Sequence, residues 1–188
     1  MNKVYYKNSQ DMSEVSNNSV DLVVTSPPYF NVKDYSKSGR STGEIQHSEK
    51  KQNQIGDIND YKTFIAELLK VWVECERVLK PNGKLAINVP LMPMLKVEYP
   101  DRHNRVIFDL NSDIQQSIIW RPDTKIHLMN TFIWRRTNAR KGLMFGSYPY
   151  PTNFYSQNTC EFVAVYVKDR KPNTPLSLIH ISEPTRPY

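Results

Sequence analysis

The sequence predicts an α/β fold built on a mostly parallel sheet, and three stretches carry that prediction. Asp21-Leu22-Val23-Val24-Thr25 is a short apolar run of the kind needed by a strand covered on both faces. Phe64, Leu68, Val71, Cys75 and Val78 recur at steps of four and three, which gives a helix one apolar stripe, widened by Trp72 and Leu79. Lys84-Leu85-Ala86-Ile87-Asn88-Val89 then reads as a second strand, closed by Pro90. Strand, crossover helix and strand make a right-handed parallel unit.

The remaining elements follow in chain order. Val4-Tyr5-Tyr6 can form a short strand, Asn8-Ser9 a polar turn, and Asp11 to Val15 one or two helical turns. Asn17-Asn18-Ser19 leads into the first apolar strand. Residues 31–57 are polar and without periodicity, which predicts a long loop over the corner where they begin. Asp57 or Asn59 can cap the long helix, and Lys80-Pro81-Asn82-Gly83 ends it. A second crossover is expected between Arg105 and Ile119, weakened by Asn111-Ser112. Ile126 to Arg135 and Glu161 to Lys168 are expected to pair as an antiparallel edge, separated by a second long loop over 137–160.

The 188 residues suffice for one domain with a proper core. No apolar run approaches the roughly 18 residues of a membrane span. The net charge of +6 permits a polyanionic partner without requiring one. Cys75 and Cys160 form neither a metal pattern nor a disulfide framework, so a reducing, cytoplasmic setting is expected. His47, His103 and His127 lack ligand spacing, and no metal is assigned. Ser177 to Tyr188 reads like a translated sequencing adapter; the domain is therefore expected to span residues 1–175, with 176–188 set aside as non-native.

Chemistry concentrates where the first strand stops, at Ser26-Pro27-Pro28-Tyr29-Phe30. The prolines fix φ and remove two backbone donors, leaving a stiff corner that carries a hydroxyl, carbonyls and a flat ring. In open α/β sheets, ligands sit at this carboxyl edge of the strands. A second signal lies between Thr124 and Cys160, where Lys125, Arg135, Arg136, Arg140 and Lys141 occur with no acidic residue. Phe145, Tyr148, Tyr150, Phe154 and Tyr155 accompany them. Basic and aromatic residues so mixed suit nucleic acid, although Arg135 to Lys141 could also be a plain solvated face. Trp72 and Cys75 read as core. Trp134 and Arg136 read equally as an edge aromatic with its neighbour or as a DNA-facing pair.

Thr25-Ser26-Pro27-Pro28-Tyr29 resembles the catalytic motif of DNA amino-methyltransferases, the S-adenosylmethionine-dependent enzymes that act on cytosine N4 or adenine N6. Gln54-Ile55-Gly56, the run from Trp72 through Glu74, Cys75 and Arg77 to Gly83, Trp134 with Arg136, and Phe145 to Pro149 are similar to the same family, as is Glu161 to Tyr166. The resemblance implies a class I methyltransferase-like (Rossmann-like) sheet in a permuted order, with the catalytic motif first and the cofactor's Phe-x-Gly-x-Gly loop last. That loop does not occur in these 188 residues, so the fold they hold is expected to be incomplete.

The resemblance also implies roles. Ser26 and the carbonyl of Pro27 would accept hydrogen bonds from the target amine, Pro28 would stiffen that carbonyl, and Tyr29 would stack on the base. The family's acidic residue near the cofactor falls at Asn8, and Thr25 adds a weak cofactor contact. Phe30 would line the base pocket, while Lys33, Arg135, Arg136, Arg140 and Lys141 would face DNA. Double-stranded DNA is the implied partner, within a restriction-modification system whose endonuclease need not form a stable complex. The Ser-Pro-Pro-Tyr form leans toward cytosine N4. Adenine N6 and a non-catalytic DNA-binding chain are the alternatives. A protein-glutamine methyltransferase, which would carry its cofactor loop upstream, fits the short leading segment less well.

Overall fold

The computed structural model describes residues 3–30, 55–95, 105–137, 144–145, 155–156 and 159–169. Its main sheet holds β1 (Val20–Thr25), β2 (Leu79–Pro90), β8 (Cys160–Lys168) and β5 (Ile126–Arg135), in the order β1-β2-β8-β5. β1 and β2 are parallel, with Val23 opposite Leu85 and Thr25 opposite Ile87. β8 runs antiparallel to both β2 and β5, which bears out the antiparallel pairing expected from the sequence. Two small pairs complete the strands: β3 (Met92–Leu95) with β4 (Arg105–Phe108), and β6 (Met144–Phe145) with β7 (Tyr155–Ser156).

Helix α1 (Tyr61–Val78) connects β1 to β2 and buries the stripe read from the sequence, with Phe64, Leu68, Trp72 and Cys75 at 1% exposure or less. Its cap is Asp60, not Asp57 or Asn59. The Asp60 carboxylate accepts from the Thr63 backbone N–H at 2.8 Å and from its hydroxyl at 2.6 Å, and these bonds lower its pKa. Ile55–Asp57 instead forms a 3-10 turn. At the other end Asn82 takes φ 67°, and a Cβ on Gly83 would stand 2.9 Å from the Lys80 carbonyl, so this turn needs its glycine.

Helix α2 (Leu110–Ile119) is shorter than the expected crossover because β4 occupies its first residues. Asn111-Ser112, which weakened the sequence reading, lies in the first turn, where Ser112 bonds the capping Asp109 through its N–H at 3.2 Å and its hydroxyl at 2.7 Å.

Other expectations change. Val4-Tyr5-Tyr6 is exposed and outside any strand, and the stretch from Asp11 to Val15 forms turns, not helix. The 137–160 loop contains the β6–β7 pair. Residues 31–54 and the tail from 170 lie outside the described residues, as do His47, His103 and the expected lid over the corner.

Among the described residues, β1 is covered on one face only. Leu85, Ile87, Val89, Ala164 and Tyr166 are buried on the face beneath the helices. Leu22 and Val24 are 58% and 71% exposed on the other, with Phe132 and Trp134 at 54% and 56% on β5. A run apolar on both sides had predicted two covers. Among the described residues, the helices supply one.

Phe30 corrects the expected base pocket. Its ring is 1% exposed and meets Tyr61, Phe64 and Phe108 at centroid distances of 5.2, 5.3 and 6.1 Å. A ring so enclosed is core, and it pins the corner to the first turn of α1. At the far end of the sheet, Glu76 is buried with Arg121 as its ion-pair partner and accepts from the Lys125 N–H at 3.0 Å. The Lys168 ammonium donates to the carbonyls of Glu76 at 2.5 Å and Leu79 at 2.8 Å, and to Asn18 Oδ1 at 2.9 Å. It therefore closes the carboxyl end of α1 from a neighbouring strand.

Unfolding and labelling experiments test this packing. Phe30→Ala should destabilise the fold by about 3–5 kcal/mol in urea unfolding; a loss below about 1 kcal/mol would return Phe30 to the pocket. Lys168→Met leaves buried carbonyls without donors and should cost about 2 kcal/mol in the same measurement. Burial pushes the Cys75 thiol up to about 12, so at pH 8 native alkylation should label partly exposed Cys160 and spare Cys75 until the chain unfolds. Equal labelling rates would contradict the buried stripe.

Candidate active site at the sheet edge

β1 ends at Thr25, and the chain turns immediately through Ser26-Pro27-Pro28 at the carboxyl edge of the parallel pair. Pro27 is buried, Pro28 half-buried, and Ser26 exposed. The Ser26 side chain therefore faces outward from a corner whose following proline is held in the interior. Its Oγ stands 3.1 Å from the Tyr29 hydroxyl, and either oxygen can donate. Tyr29 is half-buried and leans on the rim of the core.

A cavity of about 510 Å³ opens at this corner. Thr25, Ser26, Pro27 and Pro28 form one wall. Lys7, Asn8 and Ser9 form a second, and Leu68, Val71 and Trp72 of α1, with Ile55, form an apolar floor. The structure thus brings the residues assigned to catalysis at 26–28 together with Asn8 and Thr25, assigned to the cofactor. Tyr29 stands beside this cavity, not in its wall, and Phe30 belongs to the core.

Asn8 is oriented by its neighbours. Its Oδ1 accepts from the Gln10 N–H at 3.1 Å, and its Nδ2 donates to Gln10 Oε1 at 2.8 Å. The shape suits an elongated ligand with both apolar and polar parts: an apolar floor, amide and hydroxyl groups at the rim, and the Lys7 cation nearby. Lys7 is itself paired with Glu14. Lys7 and Ser9 were not assigned to the site from the sequence, where only their adjacency to Asn8 marks them. The cavity role of Leu68, Val71 and Trp72 was hidden beneath a core stripe.

The basic segment lies at the same edge but apart. β5 runs in the same direction as β1, so Arg135 and Ser26 both follow strand ends at one side of the sheet. Three strand spacings, roughly 14 Å, separate β1 from β5. Arg135 is exposed. Arg136 is half-buried, pairs with Glu161 at 3.3 Å and donates its backbone N–H to the Thr159 carbonyl at 2.9 Å. With Trp134, Thr137 and Glu161 it lines a separate cavity of about 430 Å³. Trp134 is 56% exposed, which removes the reading of a buried edge aromatic. Lys33, Arg140 and Lys141 lie outside the described residues.

Known proteins share this arrangement of chain and fold. Type II methyltransferase M.MthZI of Methanothermobacter thermautotrophicus is 28% identical over 171 residues, covering 89% of this chain and 44% of that protein. Among solved structures, the protein TTHA0409 of Thermus thermophilus, complexed with S-adenosyl-L-methionine, is similar with a TM-score of 0.57 at 22% identity. That match covers 94% of this chain and 58% of the other. The cytosine-N4-specific PvuII DNA methyltransferase is similar with a TM-score of 0.54 at 15% identity, over 96% of this chain and 54% of the other. These likenesses establish the class I methyltransferase fold, and the chain spans about half the length of the proteins it matches. The N6/N4 methyltransferase model, described as DNA methylase, matches residues 20–188, and the chain belongs to that family.

Proposed function

We propose that this chain is the catalytic-motif half of a DNA methyltransferase that moves a methyl group from S-adenosylmethionine to the exocyclic N4 amine of cytosine. The observation that carries this reading is the shared cavity, in which Ser26, Pro27 and Pro28 meet Asn8 and Thr25. An exocyclic amine is a poor nucleophile because its lone pair is delocalised into the ring. The Ser26 hydroxyl oxygen and the Pro27 carbonyl would hold its hydrogens as the nitrogen becomes tetrahedral, and the double proline keeps these acceptors from reorganising. The methyl sulfonium is the electrophile, so this chain's remaining work is alignment and exclusion of water.

The target nitrogen is inaccessible within a duplex, so its nucleotide must leave the stack. Tyr29 beside the cavity would stack on the extruded base, and stacking of about 1–3 kcal/mol offsets part of the unstacking cost. Its hydroxyl now stands against Ser26 Oγ, where an incoming amine would need to bond. Arg135, with Lys33, Arg140 and Lys141, would meet phosphates. Asn8 and Thr25 would touch the cofactor. The setting is a cytoplasmic restriction-modification system, and serine at the first motif position favours cytosine N4 over adenine N6.

Methyl transfer from labelled S-adenosylmethionine to duplex DNA by the complete gene product, followed by nucleoside analysis, tests the reading. N4-methylcytosine is expected; N6-methyladenine would replace the target, and no transfer would remove the activity. Ser26→Ala should lower kcat about a hundredfold with little change in cofactor KM. Tyr29→Phe should keep most activity, since the ring does the stacking, whereas Tyr29→Ala should lose it. The 188 residues alone, without the glycine-rich loop, should bind S-adenosylmethionine weakly or not at all in equilibrium dialysis.

A further inference from the structure

The segment before β1 is strapped to α1 through side chains. Gln10 Nε2 donates to the Glu67 carbonyl at 3.1 Å and to its carboxylate at 2.6 Å. Two turns on, the Met12 N–H donates to Glu74 Oε2 at 2.8 Å. Arg77 donates to the Met12 carbonyl at 2.9 Å, the Val15 carbonyl at 3.0 Å and Asn17 Oδ1 at 2.5 Å. Glu74 holds that guanidinium in place with bonds of 2.9 and 2.8 Å. The pair is mutually reinforcing: each partner's hydrogen bond favours its charged form, lowering the Glu74 pKa and raising that of Arg77.

Here two clamps fix a short irregular segment at both ends, and the segment's leading part is the cavity wall of Lys7, Asn8 and Ser9. The first clamp continues directly into that wall, because Gln10, held by Glu67, is the residue that orients the Asn8 amide.

We propose that Glu67 and Arg77 are positioning residues for the cofactor side of the site. They set where Asn8 stands, and so govern S-adenosylmethionine affinity without touching the cofactor or the target base. This rests on the methyltransferase reading above. Losing either clamp frees the wall to move, which weakens ligand binding because the wall must be ordered again each time the cofactor binds. The corner at Ser26 has its own anchors in Pro27 and Phe30, so base chemistry remains intact.

The test is steady-state kinetics and cofactor dialysis on the complete gene product. Arg77→Ala and Glu67→Ala should each raise the S-adenosylmethionine Kd and KM about tenfold. The kcat at saturating cofactor and the KM for DNA should stay within about twofold. Glu67→Gln keeps an acceptor for Gln10 and should restore affinity, and Arg77→Lys should restore part of it. Asp60→Ala, which removes the cap of α1 remote from the strap, serves as the stability control and should leave cofactor KM unchanged. Unaltered cofactor affinity in the alanine variants, or a fall in kcat at saturation, overturns the positioning role. If the unsubstituted protein bound no S-adenosylmethionine, the methyltransferase reading itself would fall, and this one with it.

Discussion

Burial of one face of α1 is the interaction on which the other features depend. That stripe packs on β1 and β2 and so fixes the carboxyl edge at which Ser26 projects. The same helix floors the cavity with Leu68, Val71 and Trp72. Its polar flank carries Glu67, Glu74 and Arg77, which hold the segment bearing Asn8. Its carboxyl end is closed by Lys168 from β8, which ties the sheet's antiparallel strands to the helix that links the parallel ones. Were the stripe lost, the floor, the strap and the corner would all lose their common reference.

The elements legible in the sequence were those whose signal is local and periodic. β8, expected at Glu161 to Lys168, appears over Cys160–Lys168, because the almost unbroken apolar and aromatic run from Phe162 to Val167 leaves few alternatives. The 3-4 spacing of α1 was equally plain. What escaped depends on contacts distant in sequence. Val4-Tyr5-Tyr6 has strand propensity but, among the described residues, no partner strand. Asp57 and Asn59 offered themselves as caps before α1, and the geometry around Thr63 selects their neighbour Asp60 instead. Phe30 follows the motif directly, yet the backbone carries it past the cavity into an aromatic cluster. Glu76 carries no signal of its own in the sequence, because its partners Arg121 and the Lys125 N–H come from another part of the chain.

The candidate site was half legible for the same reason. Ser26, Pro27 and Pro28 form a contiguous motif, and contiguity survives folding. Asn8 joins them through the resemblance alone, and the cavity supplies the spatial reason. The basic segment also reads plainly as a charge run, but its residues divide by environment. Arg136 is taken into an ion pair with Glu161, whereas Arg135 stays in solvent. A count of positive charges therefore overstates what this edge can offer to phosphate, since a paired guanidinium has already given up part of its field.

Separate anchoring of the two walls has a consequence for catalysis. The corner is held near the first turn of α1, by Phe30 against Tyr61 and Phe64. The strap is held further along the helix, from Glu67 to Arg77. The proposed base-facing acceptors and the proposed cofactor-facing amide can thus be tuned by different side chains on one rigid support. The proposed methyl transfer would need its nucleophile and electrophile aligned along a single line, and two walls referenced to the same helix would keep that line fixed.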